Sequence, residues 1–188
     1  NLSNKSLKDL EDCVSKINTG GKYDTDAFQK SVGLNGVGTK AVNALSEHFS
    51  IESIRDNKKI QLNFSKGLLT DKTNISTTEL KDGTIVKFLP DKEIFKKYAY
   101  IEDHVELQIL NYVYLNAGLI IKYNGRNFFS KNGLKDLLIK NTINQKIFYP
   151  IIHLEGPDIE IALTHGNQYG EEYYSFVNGQ NTTHGGTH

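Results

Sequence analysis

Up to about residue 49, the apolar residues of this chain recur at helical spacing. In residues 6–18 they stand three or four positions apart, at Leu7, Leu10, Val14 and Ile17. This spacing predicts a helix with one buried face, and Ser6 is its expected N-cap. A second helix of the same kind is predicted from residue 39, because apolar residues stand at 41, 42, 45 and 49.

From residue 51 onward the pattern changes to the alternation of apolar and polar residues that is typical of strands. Ile60, Leu62 and Phe64 alternate with polar neighbours, and Gly67 interrupts the run. A polar strand over residues 75–80 is predicted next. Asp82-Gly83 is a hairpin signal that leads into a further strand over residues 84–89.

The rest of the chain mixes both patterns, which indicates the α+β fold class. Residues 103–117 predict a helix, and we expect the tyrosines around it to lie in the core. Asn124-Gly125 predicts a tight hairpin between residues 119 and 129. A short helix over residues 130–140 and a polar linker over residues 141–146 follow. Three strands are then predicted over residues 148–154, 159–164 and 173–177.

Composition narrows the classes of protein that fit. The chain has 188 residues with 22 basic and 22 acidic side chains, so no overall charge draws it towards nucleic acid or anionic lipid. Its single cysteine, Cys13, excludes an internal disulfide and fits a reducing compartment. No apolar run approaches the length of a membrane span. The chain starts at Asn1 and has no methionine, so we expect it to be a piece of a longer polypeptide.

The stretch Gly33-Leu34-Asn35-Gly36-Val37-Gly38, just before the second predicted helix, is the strongest candidate for chemistry. Glycines before a helix leave backbone N–H groups free to bind an anion such as phosphate. Neither common phosphate motif applies, because the spacing is G-x-x-G-x-G and the lysine of Gly38-Thr39-Lys40 stands one place too late for a P-loop. The residues alone leave two interpretations open, a phosphate loop or a turn and cap between two helices.

Four stretches, in order along the chain, resemble one known family. They are Gly20-Gly21-Lys22-Tyr23-Asp24 with the glycine stretch and Val42-Asn43-Ala44-Leu45-Ser46; residues 83–91; Tyr114-Leu115-Asn116-Ala117-Gly118; and Tyr174-Ser175-Phe176-Val177-Asn178 leading to Gly185-Gly186-Thr187-His188. Together they are similar to the ATPase subunits of type IIA DNA topoisomerases. These are the B subunits of bacterial topoisomerase IV and gyrase, in the GHKL ATPase superfamily.

The resemblance implies a GHKL-type (Bergerat) sandwich, with helices on a mixed, mainly antiparallel sheet. It implies that residues 1–130 are the C-terminal part of the ATPase domain, with a lid segment over residues 18–40. Residues 131–188 would be the first part of a second α+β domain, the transducer, which is truncated at residue 188. Within the family, the topoisomerase IV type is favoured over gyrase.

The resemblance also implies which residues bind ATP. They are Lys22, Gly33, Leu34, Asn35, Gly36, Val37, Gly38 and Thr84. From the residues alone, Lys22 also fits a cation that complements the end of a helix, and Thr84 fits an ordinary strand residue. Phe28 stands where the gyrase subunit has a tyrosine that contacts the nucleotide. Its ring could still stack on the base, but the hydrogen bond of a tyrosine hydroxyl would be lost.

No catalytic residue or metal ligand is assigned within the chain. His184 and His188 are four apart, but the glycines between them and the missing glutamate argue against a metal pair. The family's water-activating glutamate, its Mg²⁺-ligating asparagine and its adenine-reading aspartate would precede residue 6, and its γ-phosphate lysine would follow residue 188. We therefore expect this chain alone to be inactive.

The whole protein is expected to be a cytoplasmic, ATP-dependent DNA topoisomerase that uses ATP and Mg²⁺. The implied partners are a second copy of the subunit, which closes an ATP-dependent gate, a DNA-cleaving A-type subunit and duplex DNA, with no membrane. The alternatives are a non-catalytic nucleotide-binding or protein-interaction module on the same scaffold, and another GHKL enzyme, such as a kinase or a mismatch-repair ATPase. The stretch at residues 174–188 argues against the last of these.

Overall fold

The computed structural model of the chain describes residues 4–17, 19 and 36–182. It divides into two compact units, Asn1–Tyr98 and Ala99–His188. The domain boundary predicted near residue 130 stays a prediction, and the division at residue 98 describes only which residues group together in space.

Helices and strands alternate irregularly along both units. The helices are α1 (Asn4–Ser15), α2 (Gly38–Ala44), α3 (Lys92–Phe95), α4 (Glu102–Leu115) and α5 (Leu134–Asn141). The strands of the first unit are β1 (Ser46–Arg55), β2 (Lys58–Ser65), β3 (Leu68–Lys72), β4 (Ser76–Thr77) and β5 (Gly83–Pro90). Those of the second unit are β6 (Ile120–Tyr123), β7 (Arg126–Phe129), β8 (Ile152–Glu155), β9 (Glu160–Leu163), β10 (Phe176–Val177) and β11 (Gln180–Asn181). The α+β class predicted from the sequence is confirmed.

The first unit is built on one antiparallel sheet with the strand order β3-β2-β1-β5, and the short strand β4 also pairs with β2. The long hairpin of β1 and β2 turns at Asp56 and Asn57, whose φ angles of 53° and 57° are those of a type I′ turn. In its register, Phe49 pairs with Phe64 and Ile51 with Leu62. The alternation in the sequence therefore places these apolar side chains on one face of the sheet.

That apolar face and α1 form the core of the first unit. Val14 of α1 is buried in one cluster with Phe49, Ile51, Leu62 and Phe64. The two phenylalanine rings meet edge to face, with centroids 6.0 Å apart, a geometry that aromatic pairs prefer. The sheet and the helix are thus held together mainly by apolar burial.

The second unit contains three separate two-stranded sheets, β6-β7, β8-β9 and β10-β11. Asn124 and Gly125 form the predicted tight turn, with φ angles of 47° and 78°. Asn178 and Gly179 form a similar turn between β10 and β11, with φ angles of 49° and 84°. The same Asn-Gly signal was present there in the sequence, but no hairpin was predicted from it.

Several predicted boundaries in the first unit are wrong. Ser6 lies inside α1, which already begins at Asn4, so Ser6 is not its N-cap. The second helix ends at Ala44, and Phe49 belongs to β1. Position 49 matches a helical stripe and also the inward face of a strand, and cross-strand pairing with Phe64 decided in favour of the strand.

The strand predicted over residues 75–80 is reduced to Ser76–Thr77. The strand that follows Gly67 is β3, at Leu68–Lys72. Asp82-Gly83 does not close a hairpin, because β5 pairs with β1 and not with β4. The cause is cross-strand packing, since Val86 and Phe88 of β5 lie opposite Ile51 and Phe49 of the central strand.

The tyrosines predicted to fill the core around α4 are more exposed than expected. Tyr98, Tyr100 and Tyr112 are exposed, and the fully buried residue of α4 is Val113. Tyr114 and Tyr123 are half-buried. A tyrosine carries a polar hydroxyl that a surface position satisfies with water, so helical spacing alone did not identify the buried face. Among the residues that the structure describes, no helix has the length and apolarity needed to cross a membrane.

Candidate functional site

The described part of the glycine stretch leads directly into α2. Gly36 has a φ of 56°, a backbone conformation that favours glycine. Val37 is the residue before the helix and has no side-chain cap, and its carbonyl accepts the first helical hydrogen bond, from the Ala41 N–H at 2.9 Å. Gly38 is the first helical residue. The order of glycines, turn and helix is therefore the one that the sequence predicts.

No described atom crowds Gly38. A side chain added at this position would meet no described atom within 4 Å, and the φ of Gly38 is not in the positive region. The described part of the fold therefore imposes no need for glycine here. An absent side chain at this place leaves the backbone accessible to a ligand.

Two buried polar side chains connect α2 to the end of α1. Lys40 donates from Nζ to the Thr19 carbonyl at 2.7 Å and to the Gly36 carbonyl at 2.5 Å. Asn43 donates from Nδ2 to the Val14 carbonyl at 2.9 Å. The last carbonyls of a helix have no partner within the helix, and here Asn43 supplies one to Val14. These side chains fix α2 against α1.

The sequence analysis did not single out either Lys40 or Asn43 as a site residue. They are three positions apart and so lie on the same face of the helix. Both lie on the helix side opposite the apolar positions 41, 42 and 45, so the sequence pattern carried no signal that they are buried. The apolar spacing predicted that positions 41, 42 and 45 face the core, but Val42 and Leu45 are exposed.

The other predicted site residues are only partly placed. Thr84 lies in β5 opposite Ser53 of β1, and its side chain is exposed. Among the described residues, no hydrogen bond links Thr84 to Gly36, Val37 or Gly38. The remaining positions lie outside the described residues: Lys22, Phe28, Gly33, Leu34, Asn35, His184 and His188.

A network of charged side chains lies at the end of β5. Asp91 is buried and accepts the Glu93 N–H at 2.9 Å, which caps α3. Lys66 forms ion pairs with Asp91 at 3.1 Å and with Glu93 at 2.5 Å. The Glu93 N–H and then Lys66 hold the pKa of Asp91 below its usual range, despite burial. The network stabilises the turn after the sheet.

In the second unit, a histidine and two glutamates on one hairpin bring possible ligand atoms together. Those of His153, Glu155 and Glu160 lie within 4.8 Å of one another. His153 Nε2 lies 2.9 Å from a Glu160 carboxylate oxygen and 3.5 Å from one of Glu155. Glu155 and Glu160 are cross-strand partners, and the His153 ring nitrogen lies between their carboxylates, within hydrogen-bond distance of Glu160. The three side chains have this local explanation without a metal ion.

Comparison with solved structures identifies the fold. No protein-family model matches the chain. The 43K ATPase domain of Thermus thermophilus gyrase B, solved in complex with an aminocoumarin, aligns with 92% of this chain and 46% of its own, with a TM-score of 0.70 and 23% identity. The gyrase B protein of Myxococcus xanthus aligns with 94% of this chain and 54% of its own, with a TM-score of 0.71 and 14% identity. The chain thus has the GHKL-type fold that the resemblance implied.

Sequence comparison identifies which proteins the chain is similar to. The chain is 52% identical to the B subunit of DNA topoisomerase 4 from Borreliella burgdorferi over 175 residues, which are 93% of this chain and 29% of that protein. It is 33% identical to the B subunit of DNA gyrase from Spiroplasma citri, over 95% of this chain and 30% of that protein. It is 31% identical to the B subunit of DNA gyrase from Borreliella burgdorferi itself, over 98% of this chain and 31% of that protein.

The resemblance to the B subunits of type IIA topoisomerases, predicted from the sequence, is therefore confirmed. The chain is similar over nearly all of its length to the B subunits of bacterial topoisomerase IV and gyrase. It spans about three tenths of the length of these relatives.

Proposed function

We propose that this chain is the ATP-binding part of the B subunit of a bacterial type II topoisomerase, of the topoisomerase IV type. The observation that carries the proposal is the 52% identity to the B subunit of a topoisomerase 4 over 93% of the chain. In the whole protein, binding and hydrolysis of ATP would be coupled to the passage of one DNA duplex through another.

The choice between topoisomerase IV and gyrase rests on two relatives from the same organism. The chain is 52% identical to the topoisomerase 4 subunit of Borreliella burgdorferi and 31% identical to the gyrase subunit of that organism. Because both comparisons involve one species, the divergence of the organisms does not explain the difference. The difference favours the topoisomerase IV type.

Within this chain, we assign the nucleotide phosphates to the glycine stretch. Backbone N–H groups of Asn35, Gly36, Val37 and Gly38 would donate to the phosphate oxygens, and Leu34 would be part of the same nucleotide-binding loop. The room that the described residues leave beside Gly38 supports the assignment, because a phosphate group must approach the backbone closely. Lys22 would add a positive charge, Gly33 would give the loop its freedom to turn, and Thr84 would hydrogen-bond near the adenine.

Mg²⁺ would supply electrostatic stabilisation of the transferred phosphoryl group. We assign no ligand for it, and no catalytic glutamate, to this chain, so hydrolysis requires residues beyond it. We further propose that the whole protein acts in the cytoplasm with a second copy of itself, a DNA-cleaving A-type subunit and duplex DNA. The balanced charge of this part, 22 basic and 22 acidic residues, agrees with DNA binding lying mainly elsewhere in the complex.

The experiment that tests the proposal uses the natural full-length protein and the Gly38→Leu variant. Calorimetry with a non-hydrolysable ATP analogue and Mg²⁺ should give saturable binding for the natural protein. Gly38→Leu should weaken this binding about tenfold or more, which is about 1.4 kcal/mol. Its thermal stability should not fall, because glycine is a poorer helix former than leucine by up to about 1 kcal/mol.

Thr39→Leu is the matched control, because it adds the same side chain at the next, exposed helical position. It should bind the analogue as the natural protein does. Absence of binding by the folded natural protein would reject the nucleotide site. Analogue binding without ATP turnover, in the presence of the A-type subunit and DNA, would instead support the non-catalytic module.

A further inference from the structure

Lys40 is a lysine whose side chain is turned into the protein at the start of α2. Its residue is only 9% exposed, although lysine is among the residues that are rarely buried. Its ammonium donates to two backbone carbonyls, those of Thr19 and Gly36. None of the ion pairs among the described residues involves Lys40. Burying a charge without hydrogen bonds is costly, so these two bonds keep the side chain inward.

The two carbonyls belong to parts of the chain that are distant in sequence. Thr19 follows α1, and Gly36 is the glycine with positive φ two residues before α2. Thr19 is itself fixed to α1, because its hydroxyl donates to the Asp12 and Lys16 carbonyls, each at 2.6 Å. Hydrogen bonds through Thr19 and Lys40 therefore connect α1 to Gly36.

Asn43 supports the same arrangement one helical turn further on. It is 1% exposed and bonds to the Val14 carbonyl of α1. Asn43 fixes the far end of α2, and the Lys40 ammonium fixes the near end, where the glycine stretch ends. Lysine can do this because its ammonium carries three donors and no acceptor, which suits a site made of carbonyl oxygens.

We propose that Lys40 is a positioning residue for Gly36, Val37 and Gly38, which it holds against α1 in the geometry that receives the nucleotide. This inference rests on the proposed function. It differs from a direct role for Lys40 at a phosphate group, because its donors point to backbone carbonyls and its effect passes through Thr19.

The test combines Lys40→Met and Thr19→Val in the full-length protein. Methionine keeps an unbranched side chain and removes the charge, and valine keeps the shape of threonine and removes the hydroxyl. We expect binding of the ATP analogue to weaken about tenfold in Lys40→Met and about threefold in Thr19→Val. The double variant should bind no more weakly than Lys40→Met, because residues that act through one another are not additive.

Hydrogen exchange separates this inference from the proposed function. Without nucleotide, the Ala41 amide, which donates to the Val37 carbonyl at 2.9 Å, should exchange about tenfold faster in Lys40→Met than in the natural protein. The control Lys81→Met, at an exposed lysine of the same unit, should leave both exchange and binding unchanged. Faster exchange in a protein that never binds the analogue would reject the proposed function and keep the positioning role. Unchanged exchange and affinity in Lys40→Met, or additive effects in the double variant, would overturn the inference.

Discussion

The sheet of the first unit and the hairpins of the second bury apolar side chains to very different extents. In the first unit, Phe49, Ile60, Leu62 and Phe64 are each at most 2% exposed. In the second, the buried apolar residues among those that the structure describes are Val113 and Leu137. One continuous sheet beneath a helix therefore gives the first unit a core that separate two-stranded hairpins do not give the second.

The hairpin of β8 and β9 illustrates the difference at the level of single pairs. Ile152 pairs with Leu163, and Leu154 pairs with Ile161, so its apolar residues are matched across the strands. All four are nevertheless exposed. In the first unit, the apolar pairs of β1 and β2 lie in one buried cluster with Val14 of α1. Correct register is thus not sufficient for burial, which requires a second layer.

The largest expected effect comes from removing a core ring of the first unit. Phe64→Ala should lower the free energy of unfolding by about 3–5 kcal/mol, because Phe64 is 2% exposed and packs on Phe49. Leu137→Ala in the second unit should cost only about 2 kcal/mol, at the low end for such a change. Urea unfolding followed by hydrogen exchange in each unit measures both. Equal losses would show that the second unit has a core as cohesive as the first.

The next effect concerns the polar contact between α1 and α2. Asn43→Ala should destabilise the first unit by about 1–3 kcal/mol, because the buried Val14 carbonyl loses its donor. Asn63→Ala is the control, since the Asn63 side chain donates a 3.4 Å contact to Asp71 and accepts the Gln61 amide at 3.0 Å, and no buried backbone group loses its partner, so it should cost less than about 1 kcal/mol. Thermal unfolding compares the two variants. A loss as small in Asn43→Ala as in Asn63→Ala would mean that apolar packing alone fixes α2.

The features that could be predicted from the sequence are those that neighbouring residues determine, with no influence from distant parts of the chain. Asn124-Gly125 predicted its hairpin because both residues tolerate the positive φ angles of the turn. The alternation of Ile60, Leu62 and Phe64 predicted β2 because each of these residues faces the same core. α4 was predicted within two residues at each end, from the spacing of its apolar residues.

Features that depend on a distant part of the chain were missed. Phe49 fits a helix or a strand equally well, and its partner Phe64 lies on the next strand. The strand β5 itself was predicted at residues 84–89, but the pairing of β5 with β1 depends on long-range contacts. The inward orientation of Lys40 depends on carbonyls at Thr19 and Gly36, which no local pattern indicates. At the candidate site, glycine spacing predicted a turn before α2, and only the resemblance indicated ATP as its ligand, which stays a prediction.

A smaller effect compares one turn from each unit. Gly67 and Gly125 have φ angles of 81° and 78°, so alanine at either position is strained by about 1 kcal/mol. At Gly67, the added carbon would also lie 3.3 Å from the Ala44 Cα, whereas at Gly125 it would meet nothing within 4 Å. Gly67→Ala should therefore cost about 2 kcal/mol and Gly125→Ala about 1 kcal/mol. Identical shifts in thermal unfolding would show that α2 moves aside without cost.

The smallest effect depends on pH and concerns Asp136, which organises the start of α5 in the second unit. Its carboxylate accepts hydrogen bonds from the Ser130 hydroxyl at 2.8 Å, and from the Asn132 side chain and backbone N–H at 2.9 Å each. Burial raises the pKa of Asp136, but these hydrogen bonds outweigh it and hold the pKa below its usual range. The unfolded chain, with a pKa of about 3.9, therefore binds the proton more readily than the folded one.

The stabilisation from Asp136 is accordingly complete above the unfolded pKa and is lost as the pH falls through the folded pKa. Asp136→Asn should be less stable than the natural protein by about 1 kcal/mol near neutral pH, as for loss of a helix cap. The gap should narrow between about pH 5 and about pH 3, because the natural carboxylate then becomes protonated. Thermal unfolding of both proteins across this range measures the gap. A gap that stays constant would mean that the charge of Asp136 contributes nothing, and that the shape of the side chain alone positions Ser130 and Asn132.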